Sequence, residues 1–116
     1  MSKSEVAIIG AGPAGIGISA MLAELGIKNQ VIFEANKVGS SFENWPEEMK
    51  LITPSFTTNF YGSMDLNAVV SGTSPAYTLR REHPTGKEYA NYLRAVSLAS
   101  TAWTISNLLE ISLIKF

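Results

Sequence analysis

A glycine-rich hexapeptide near the N-terminus has the spacing that best fits a chemical task. It follows the pattern G-x-G-x-x-G and reads Gly10-Ala11-Gly12-Pro13-Ala14-Gly15. In such a turn the first glycine permits a tight bend, the second lets the backbone approach a pyrophosphate, and the third lets a helix pack closely on a strand. The helix that begins there supplies amide donors and partial positive charge. Residues 10–15 are therefore predicted to contact the pyrophosphate of a dinucleotide.

An acidic residue follows at the distance expected of a ribose ligand. Glu34 stands nineteen residues after Gly15, at the end of a second apolar run. A carboxylate there would accept hydrogen bonds from a ribose and repel a 2′-phosphate, which favours FAD or NAD over NADP at this site. The spacing does not choose between FAD and NAD. A purely structural unit, or one that binds a different nucleotide, is the alternative.

The elements around the motif predict how it is held. Val6–Ile9 is an apolar, β-rich run typical of a buried strand, residues 13–25 have mostly helical apolar spacing, Gly26 suits a helix end, and residues 30–33 predict a second strand. Strand, helix and strand within about 30 residues form a βαβ unit with parallel strands. The predicted fold class is α/β, a Rossmann-type FAD/NAD(P)-binding unit.

The sequence after the second strand predicts a long irregular segment, residues 34–84, and one further helix. We call this segment the excursion. Between Glu34 and Pro84 the chain contains three prolines and scattered glycines, so we expect at most short helical or extended pieces there. A loop of this length usually wraps a ligand or a partner domain. Thr85 and Glu88 have capping-box spacing for a helix to about Ala99. Its buried face is predicted to carry Tyr89, Leu93 and Val96, and residues 101–116 predict one strand or two.

Composition narrows the possible partners. The 116 residues suit one domain, 46% of them are hydrophobic, and the net charge of −1 comes without a basic stripe, which argues against nucleic acid or an anionic membrane. No cysteine and a single histidine, His83, argue against a disulfide, a redox dithiol or a metal site. Residues 6–23 carry no charge and superficially resemble a signal peptide or a membrane span, but the βαβ unit explains them better. With no targeting signal, a cytoplasmic location is expected.

Several motifs in order along the chain extend the glycine pattern into a family resemblance. They are Gly39-Ser40-Ser41-Phe42, Trp45-Pro46, Leu51-Ile52-Thr53-Pro54-Ser55, and His83-Pro84-Thr85-Gly86 with Tyr89, Tyr92 and Leu93. Over residues 5 to about 97 the chain resembles the N-terminal FAD-binding part of bacterial flavin-containing monooxygenase-like, FAD-dependent (pyridine nucleotide-disulfide-type) oxidoreductases. Such proteins carry two dinucleotide-binding domains.

The resemblance implies further cofactor contacts. Gly39, Ser40 and Ser41 occupy the place of a Gly-Gly-x-Trp pattern that lies along the cofactor, and their alternative is a plain turn. Trp45 would lie near the flavin, with an ordinary core aromatic as the alternative, and Thr53 is a further candidate. In the intact family NADPH reduces the FAD, so NADPH is implied for the intact family only.

Three departures from the family pattern shape the expected function. Ser40 and Phe42 alter the Gly-Gly-x-Trp pattern, and Pro54 stands where better-known flavin monooxygenases have Asn. A second G-x-G-x-x-G and the return of the chain to the FAD sheet are not found in this sequence. Residues 1–116 are therefore expected to form a single FAD-binding Rossmann-type domain with an incomplete sheet, an N-terminal fragment of a larger two-dinucleotide-domain flavoprotein. Truncation, a frameshift or a divergent end would each explain the poor fit after about Ser97.

The expected function is FAD binding within a flavin-dependent NAD(P)H oxidoreductase or monooxygenase, with no catalytic residue identified. The acidic residues Asp65, Glu43, Glu47 and Glu48 are interpreted as a solvated polar face, and His83 as a local structural residue. The alternatives are a non-catalytic nucleotide-binding or interaction module and an inactive remnant. Besides FAD and an unidentified small-molecule substrate, a complementary chain or a homo-oligomer could cover the exposed sheet.

Overall fold

Three parallel strands form one sheet in a computed structural model that describes residues 5–56, 65–99 and 103–107. The strands are β1 (Val6–Ile9), β2 (Gln30–Glu34) and β3 (Trp103–Asn107), in the order β1-β2-β3. In β1 and β2 the register pairs Ala7 with Val31. The predicted parallel βαβ unit is thereby confirmed, and β3 lies within the predicted C-terminal strand region. Residues 108–116 lie outside the described residues.

Four helices join the strands. They are α1 (Pro13–Glu24), α2 (Ser40–Glu43), α3 (Pro75–Leu79) and α4 (Gly86–Ala99). α1 ends as predicted just before Gly26, whose φ of +93° is a conformation that glycine adopts readily. α2, α3 and an isolated bridge between Lys50 and Thr85 are the regular pieces described in the excursion, in agreement with the sequence.

The start of α4 has the predicted capping box. The Thr85 hydroxyl accepts the Glu88 backbone N–H at 3.2 Å, and the Glu88 carboxylate accepts the Thr85 backbone N–H at 3.0 Å. This second bond is the main reason that the pKa of Glu88 lies below its ordinary value, with a smaller contribution from the Arg81 side chain. The two reciprocal bonds satisfy amide groups that a helix start otherwise leaves unpaired.

The two faces of the sheet have different surroundings. On the inner face Ile32 is fully buried, and the Gln30 side-chain oxygen accepts the hydroxyl of Ser19 on α1 at 2.6 Å. On the outer face Ala7 is exposed and Ile9 is 65% exposed. Among the described residues, therefore, the helices cover only one side of the sheet, as expected of an incomplete Rossmann-type layer.

The core lies between α1, α4 and the excursion. Its buried members are Ile16, Tyr89, Tyr92, Leu93 and Val96. The excursion adds half-buried apolar side chains around them, namely Val38, Phe42, Leu51, Val69, Val70 and Leu79. The predicted buried face of α4 is confirmed. Because the excursion supplies so much of this core, its irregular path is held by side-chain packing rather than by regular backbone pairing.

Asp65 corrects an expectation from the sequence. It is only 6% exposed, and its carboxylate accepts the Ser74 hydroxyl at 2.8 Å, the Ala76 N–H at 3.1 Å and the Asn67 N–H at 2.9 Å. The interpretation of Asp65 as part of a solvated polar face was wrong, because the residue organises the start of α3. Glu43 is partly exposed and forms an ion pair with Arg94, described below.

Two tyrosines of α4 hold residues 65–73 in place. The Tyr89 hydroxyl donates to the Asn67 carbonyl at 2.7 Å, and burial raises the pKa of Tyr89. The Tyr92 hydroxyl accepts the Val69 N–H at 3.0 Å and lies 2.6 Å from the Thr73 hydroxyl. Since the Thr73 hydroxyl donates to the Val70 carbonyl, the proton between Thr73 and Tyr92 comes from the tyrosine.

No helix in the described part of the chain is long and apolar enough to span a bilayer.

Candidate functional site

The glycine turn lies between the end of β1 and the start of α1. Gly10 has a φ of +103°, and its N–H donates to the Phe33 carbonyl at 2.7 Å. A Cβ at Gly15 would collide with the Gly10 carbonyl oxygen and lie 3.4 Å from the Ile8 side chain. The first and third glycines of the motif are therefore required by the protein itself, one for backbone conformation and the other for close packing of α1 on β1.

Gly12 differs from these two glycines. It has a φ of −91° and a ψ of −170°, an extended conformation that any residue adopts, and a Cβ built on it would meet no atom within 4 Å. Neither conformation nor packing within the described protein requires glycine here. An open approach to the backbone is what a ligand seated against the turn needs.

The first turn of α1 leaves its amides available. Gly12 is the N-cap, and among the described residues no side chain caps the helix and no acidic residue stands in its first turn. Pro13 carries no N–H, so the donors at this end are backbone N–H groups such as those of Gly12, Ala14 and Gly15. With the positive end of the helix dipole behind them, they form an arrangement suited to an anion.

Glu34 is attached directly to the glycine turn. One carboxylate oxygen accepts the Ala11 N–H at 2.9 Å and the other accepts the Asn36 N–H at 2.9 Å. Glu34 is half-buried, so its carboxylate still borders solvent. Each carboxylate oxygen can accept more than one hydrogen bond, so both can also receive a ribose hydroxyl. The role of Asn36 was not predicted, and because the donor is a backbone N–H, the residue type at this position gives no signal for it.

Gly39 and the two serines after it have different surroundings. The Gly39 N–H donates to the Ala11 carbonyl at 3.1 Å, and Gly39 itself is buried, with a φ of +73°. Ser40 is half-buried and its N–H donates to the Lys37 carbonyl at 3.0 Å. Ser41 is exposed. The structure thus joins this turn to the glycine motif through Gly39, which is buried, whereas Ser41 is exposed to solvent.

Trp45 and Thr53 lie elsewhere in the excursion. The Trp45 ring packs 4.8 Å from the ring of Phe42, centroid to centroid, and the Trp45 Cβ would lie 2.7 Å from a Cβ on Gly86. Thr53 is exposed, and its carbonyl accepts the Asn67 side-chain amide at 2.8 Å. No contact described for either residue reaches the glycine turn. The structure therefore joins residues 10–15, Glu34 and Gly39 into one hydrogen-bonded unit, and no described contact links Ser40, Ser41, Trp45 or Thr53 to the glycine turn.

Gly17 is a feature of this region that the sequence analysis did not identify. A Cβ at Gly17 would lie 3.1 Å from the Val69 carbonyl oxygen, so glycine lets the excursion approach α1 closely. Beside it an apolar cavity of about 400 Å³ opens next to the first turn of α1, lined by Pro13, Ala14, Gly17, Ile18, Met21, Leu22 and Val69. The glycine two positions after the motif was the available signal.

Arg94 holds the segment after the glycine site to α4. Its guanidinium contacts both carboxylate oxygens of Glu43, at 2.6 and 3.4 Å, and its Nε–H donates to the Val38 carbonyl at 3.1 Å. The hydrogen bond from Arg94 is the main cause that lowers the pKa of the Glu43 carboxyl. The sequence showed no pattern linking these residues, which are 51 positions apart.

Comparisons with known proteins agree with this geometry. The chain is similar to a solved structure of the bacillithiol disulfide reductase Bdr (YpdA) from Staphylococcus aureus, with a TM-score of 0.69 and 20% sequence identity. The match covers 92% of this chain and 29% of that one, so the chain spans less than a third of the reductase's length. The likeness confirms the Rossmann-type fold.

A sequence profile of the family described as pyridine nucleotide-disulphide oxidoreductase matches residues 7–111, which is most of the chain. This match includes the glycine turn, Glu34 and the turn at Gly39, the three parts of the site. It confirms the resemblance to FAD-dependent oxidoreductases that the sequence motifs indicated and supports a flavin as the cofactor. The chain therefore belongs to the pyridine nucleotide-disulphide oxidoreductase family.

Proposed function

We propose that the chain binds FAD through the ADP half of the cofactor. The single observation that carries this proposal is Gly12, a glycine that neither backbone conformation nor packing within the described protein requires. A pyrophosphate seated against the first turn of α1 accounts for it, because a side chain there would occupy the space that the phosphates need. Family membership supports a dinucleotide rather than another anion.

The residues present fit the two polar parts of the ADP group. The backbone N–H groups of Gly12, Ala14 and Gly15 would hold the pyrophosphate. The Glu34 carboxylate, held by the Ala11 and Asn36 amides, would accept the ribose hydroxyls. Their attachment to one another makes the site preorganised, so little ordering of the backbone would accompany binding.

Fewer described contacts support the residues that we propose for the part of the cofactor beyond the ADP group. Ser41 offers an exposed hydroxyl close behind the turn. Trp45 and Thr53 remain family-derived candidates for the flavin end, and nothing in their described contacts ties them to the glycine turn. FAD, when bound, supplies the electron-transfer chemistry of its isoalloxazine ring. The described residues bind and orient it.

We further propose that residues 1–116 are the N-terminal FAD-binding domain of a larger flavoprotein with two dinucleotide-binding domains. The match to under a third of the reductase's length and the exposed outer face of β1 support this proposal. In the intact protein NADPH would be the electron source, and either electron transfer or monooxygenation would follow, in the cytoplasm. The 116 residues contain no cysteine, so none of them can act as a disulfide-exchanging thiol.

Titration of the full chain with nucleotides tests the proposal. FAD, ADP, NAD⁺ and NADP⁺ are compared by isothermal titration calorimetry and by the shift in melting temperature. We expect FAD and ADP to bind and NADP⁺ to bind most weakly, because Glu34 repels its 2′-phosphate. Absence of binding by both FAD and ADP at high micromolar concentration would refute FAD binding, and NAD⁺ binding in preference to FAD would reassign the cofactor.

A non-catalytic nucleotide-binding module is the second candidate, favoured by the uncovered sheet face with Ile9 65% exposed. Such a module would bind a nucleotide and dock that face on a complementary chain or on a second copy. Oxidation of NADPH by the chain with added FAD would contradict the non-catalytic module. FAD binding without turnover fits both candidates, because the proposed FAD-binding domain does not itself carry the second dinucleotide-binding domain.

A further inference from the structure

One face of α4 is shaped to receive the turn that follows the ribose-binding acid. Gly86 and Ala90 stand four positions apart on this face, and both are buried. A Cβ at Gly86 would collide with the Phe42 carbonyl oxygen. Small residues at this spacing let the backbone of residues 38–45 lie directly on the helix.

Gly39 also approaches α4 closely. A Cβ at Gly39 would lie 3.1 Å from the Cα and 3.3 Å from the Cβ of Ala90, and 3.3 Å from Cδ1 of Leu93. Its φ of +73° is a second requirement for glycine. Gly39 is buried by α4 on one side while its N–H reaches the Ala11 carbonyl on the other. A buried residue whose N–H is already bonded has no free donor to offer a cofactor.

The bond from Gly39 determines the orientation of one peptide group in the glycine turn. The Ala11 carbonyl and the Gly12 N–H belong to the same planar trans peptide, so they point in opposite directions. When Gly39 holds the carbonyl, the Gly12 N–H is directed away from Gly39. Glu34 holds the other side of Ala11 through its N–H. Both peptide groups of Ala11 are thereby fixed.

We infer that Gly39 is a positioning residue, one that aims the Gly12 N–H at the pyrophosphate by holding the Ala11 carbonyl against α4. The inference deepens the proposed FAD binding and rests on it. It replaces the expectation that Gly39 contacts the cofactor. Arg94 assists from the same helix, because it holds the Val38 carbonyl, one residue before Gly39.

The variants Gly39→Ala and Arg94→Met test this link in the full chain. Gly39→Ala forces the turn away from Ala90, and Arg94→Met releases Val38 without altering Gly39. We expect the affinity for ADP to fall about tenfold in Gly39→Ala and by a smaller factor in Arg94→Met. The phosphorus-31 resonances of bound ADP and the amide resonance of Gly12 should shift in both variants.

Two variants serve as matched controls. Arg81→Met removes another arginine that pairs with a glutamate, Glu88, at the other end of α4. Val96→Ala destabilises the core but leaves Gly39, Arg94 and their hydrogen bonds to Ala11 and Val38 in place. Both should retain the parental ADP affinity in the folded protein and the parental Gly12 amide resonance. A loss of affinity in Val96→Ala equal to that in Gly39→Ala would show that stability alone controls binding and would overturn the inference.

The outcomes separate this inference from the proposed function. If the parent chain does not bind ADP, the proposed function fails, and the Gly12 amide resonance of the ligand-free variants still tests the link from Gly39. A folded Gly39→Ala variant with parental affinity and parental resonances overturns the positioning role. If Gly39→Ala does not fold, Arg94→Met decides, and an unchanged Gly12 amide resonance in that variant contradicts the inference.

Discussion

The Glu34 carboxylate accepts the backbone N–H of Ala11 at 2.9 Å, across 23 residues of sequence. This bond joins the end of β2 to the turn that follows β1. It means that the acid predicted to bind a ribose also shapes the turn predicted to bind the phosphates. The two halves of the proposed ADP site are one hydrogen-bonded unit, so a change in either should affect the other.

Two of the motif glycines, Gly12 and Gly15, should respond differently to alanine. Gly12→Ala should cost no more than about 1 kcal/mol of folding stability, the scale of an N-cap effect, because its Cβ enters open space. Gly15→Ala should cost about 3 kcal/mol, because its Cβ collides with the Gly10 carbonyl. Urea unfolding measures both. ADP titration of Gly12→Ala should show weakened binding, and parental affinity would contradict the reason given for that glycine.

Glu34→Gln should weaken ADP binding by about 1 to 2 kcal/mol, because glutamine offers one acceptor oxygen where the carboxylate offers two. Either the Ala11 N–H or the Asn36 N–H then loses its partner. The preference for NAD⁺ over NADP⁺ should also diminish, since the charge that repels the 2′-phosphate is gone. Calorimetry checks both effects, with the exposed Glu24→Gln as the control for loss of charge. Unchanged affinity in Glu34→Gln would refute the ribose assignment.

The two tyrosines of α4 should differ when each is changed to phenylalanine. Tyr92→Phe loses two hydrogen bonds and leaves the Val69 N–H unpaired, at a cost of about 2 kcal/mol of unfolding free energy. Tyr89→Phe loses one bond, to the Asn67 carbonyl, and should cost about 1 kcal/mol. Thermal unfolding gives the comparison. Equal losses would argue against a second stabilising hydrogen bond at Tyr92.

The capping box at α4 predicts a pH dependence. The pKa of Glu88 is lowered in the folded chain from an ordinary value of 4.5, so its ionised form stabilises the fold above that pH. The contribution is lost as the pH falls through the lower, folded pKa. Glu88→Gln should therefore be about 1 kcal/mol less stable than the parent chain at pH 7, with the difference shrinking as the pH falls below 4.5. The exposed Glu82→Gln is the control, and a difference independent of pH would contradict the assignment.

Local patterns in the sequence were enough to predict the βαβ unit and the start of α4. The glycine motif, the end of α1 near Gly26 and the Thr85–Glu88 capping box each depend on residues within a few positions of one another. Apolar periodicity identified the buried face of α4 for a similar reason, because a helix repeats its surroundings every few residues. Glu34 was located by its spacing from the motif, which follows from the length of a βαβ crossover.

The excursion resisted prediction because its contacts join distant residues without a repeating pattern. Asp65 was interpreted as exposed, yet the chain folds it beneath the start of α3, where three donors satisfy its carboxylate. Trp45 was expected either near the flavin, through resemblance, or as an ordinary core aromatic; its ring packs on Phe42, and its place beside the flavin stays a prediction. A proline-rich path of irregular backbone leaves many routes open to sequence reasoning, and only side-chain packing selects one.

The sequence by itself determined that a dinucleotide-type turn exists, which residues form it and which acid accompanies it. Only the tertiary structure decided what each glycine is for. Gly15 is required by packing and Gly39 by its approach to Ala90, whereas nothing in the described protein requires glycine at position 12. These assignments depend on which atoms lie within about 4 Å of a missing side chain. These distances depend on how α4 and the excursion pack against the βαβ unit. The spacing of residues along the chain does not predict them.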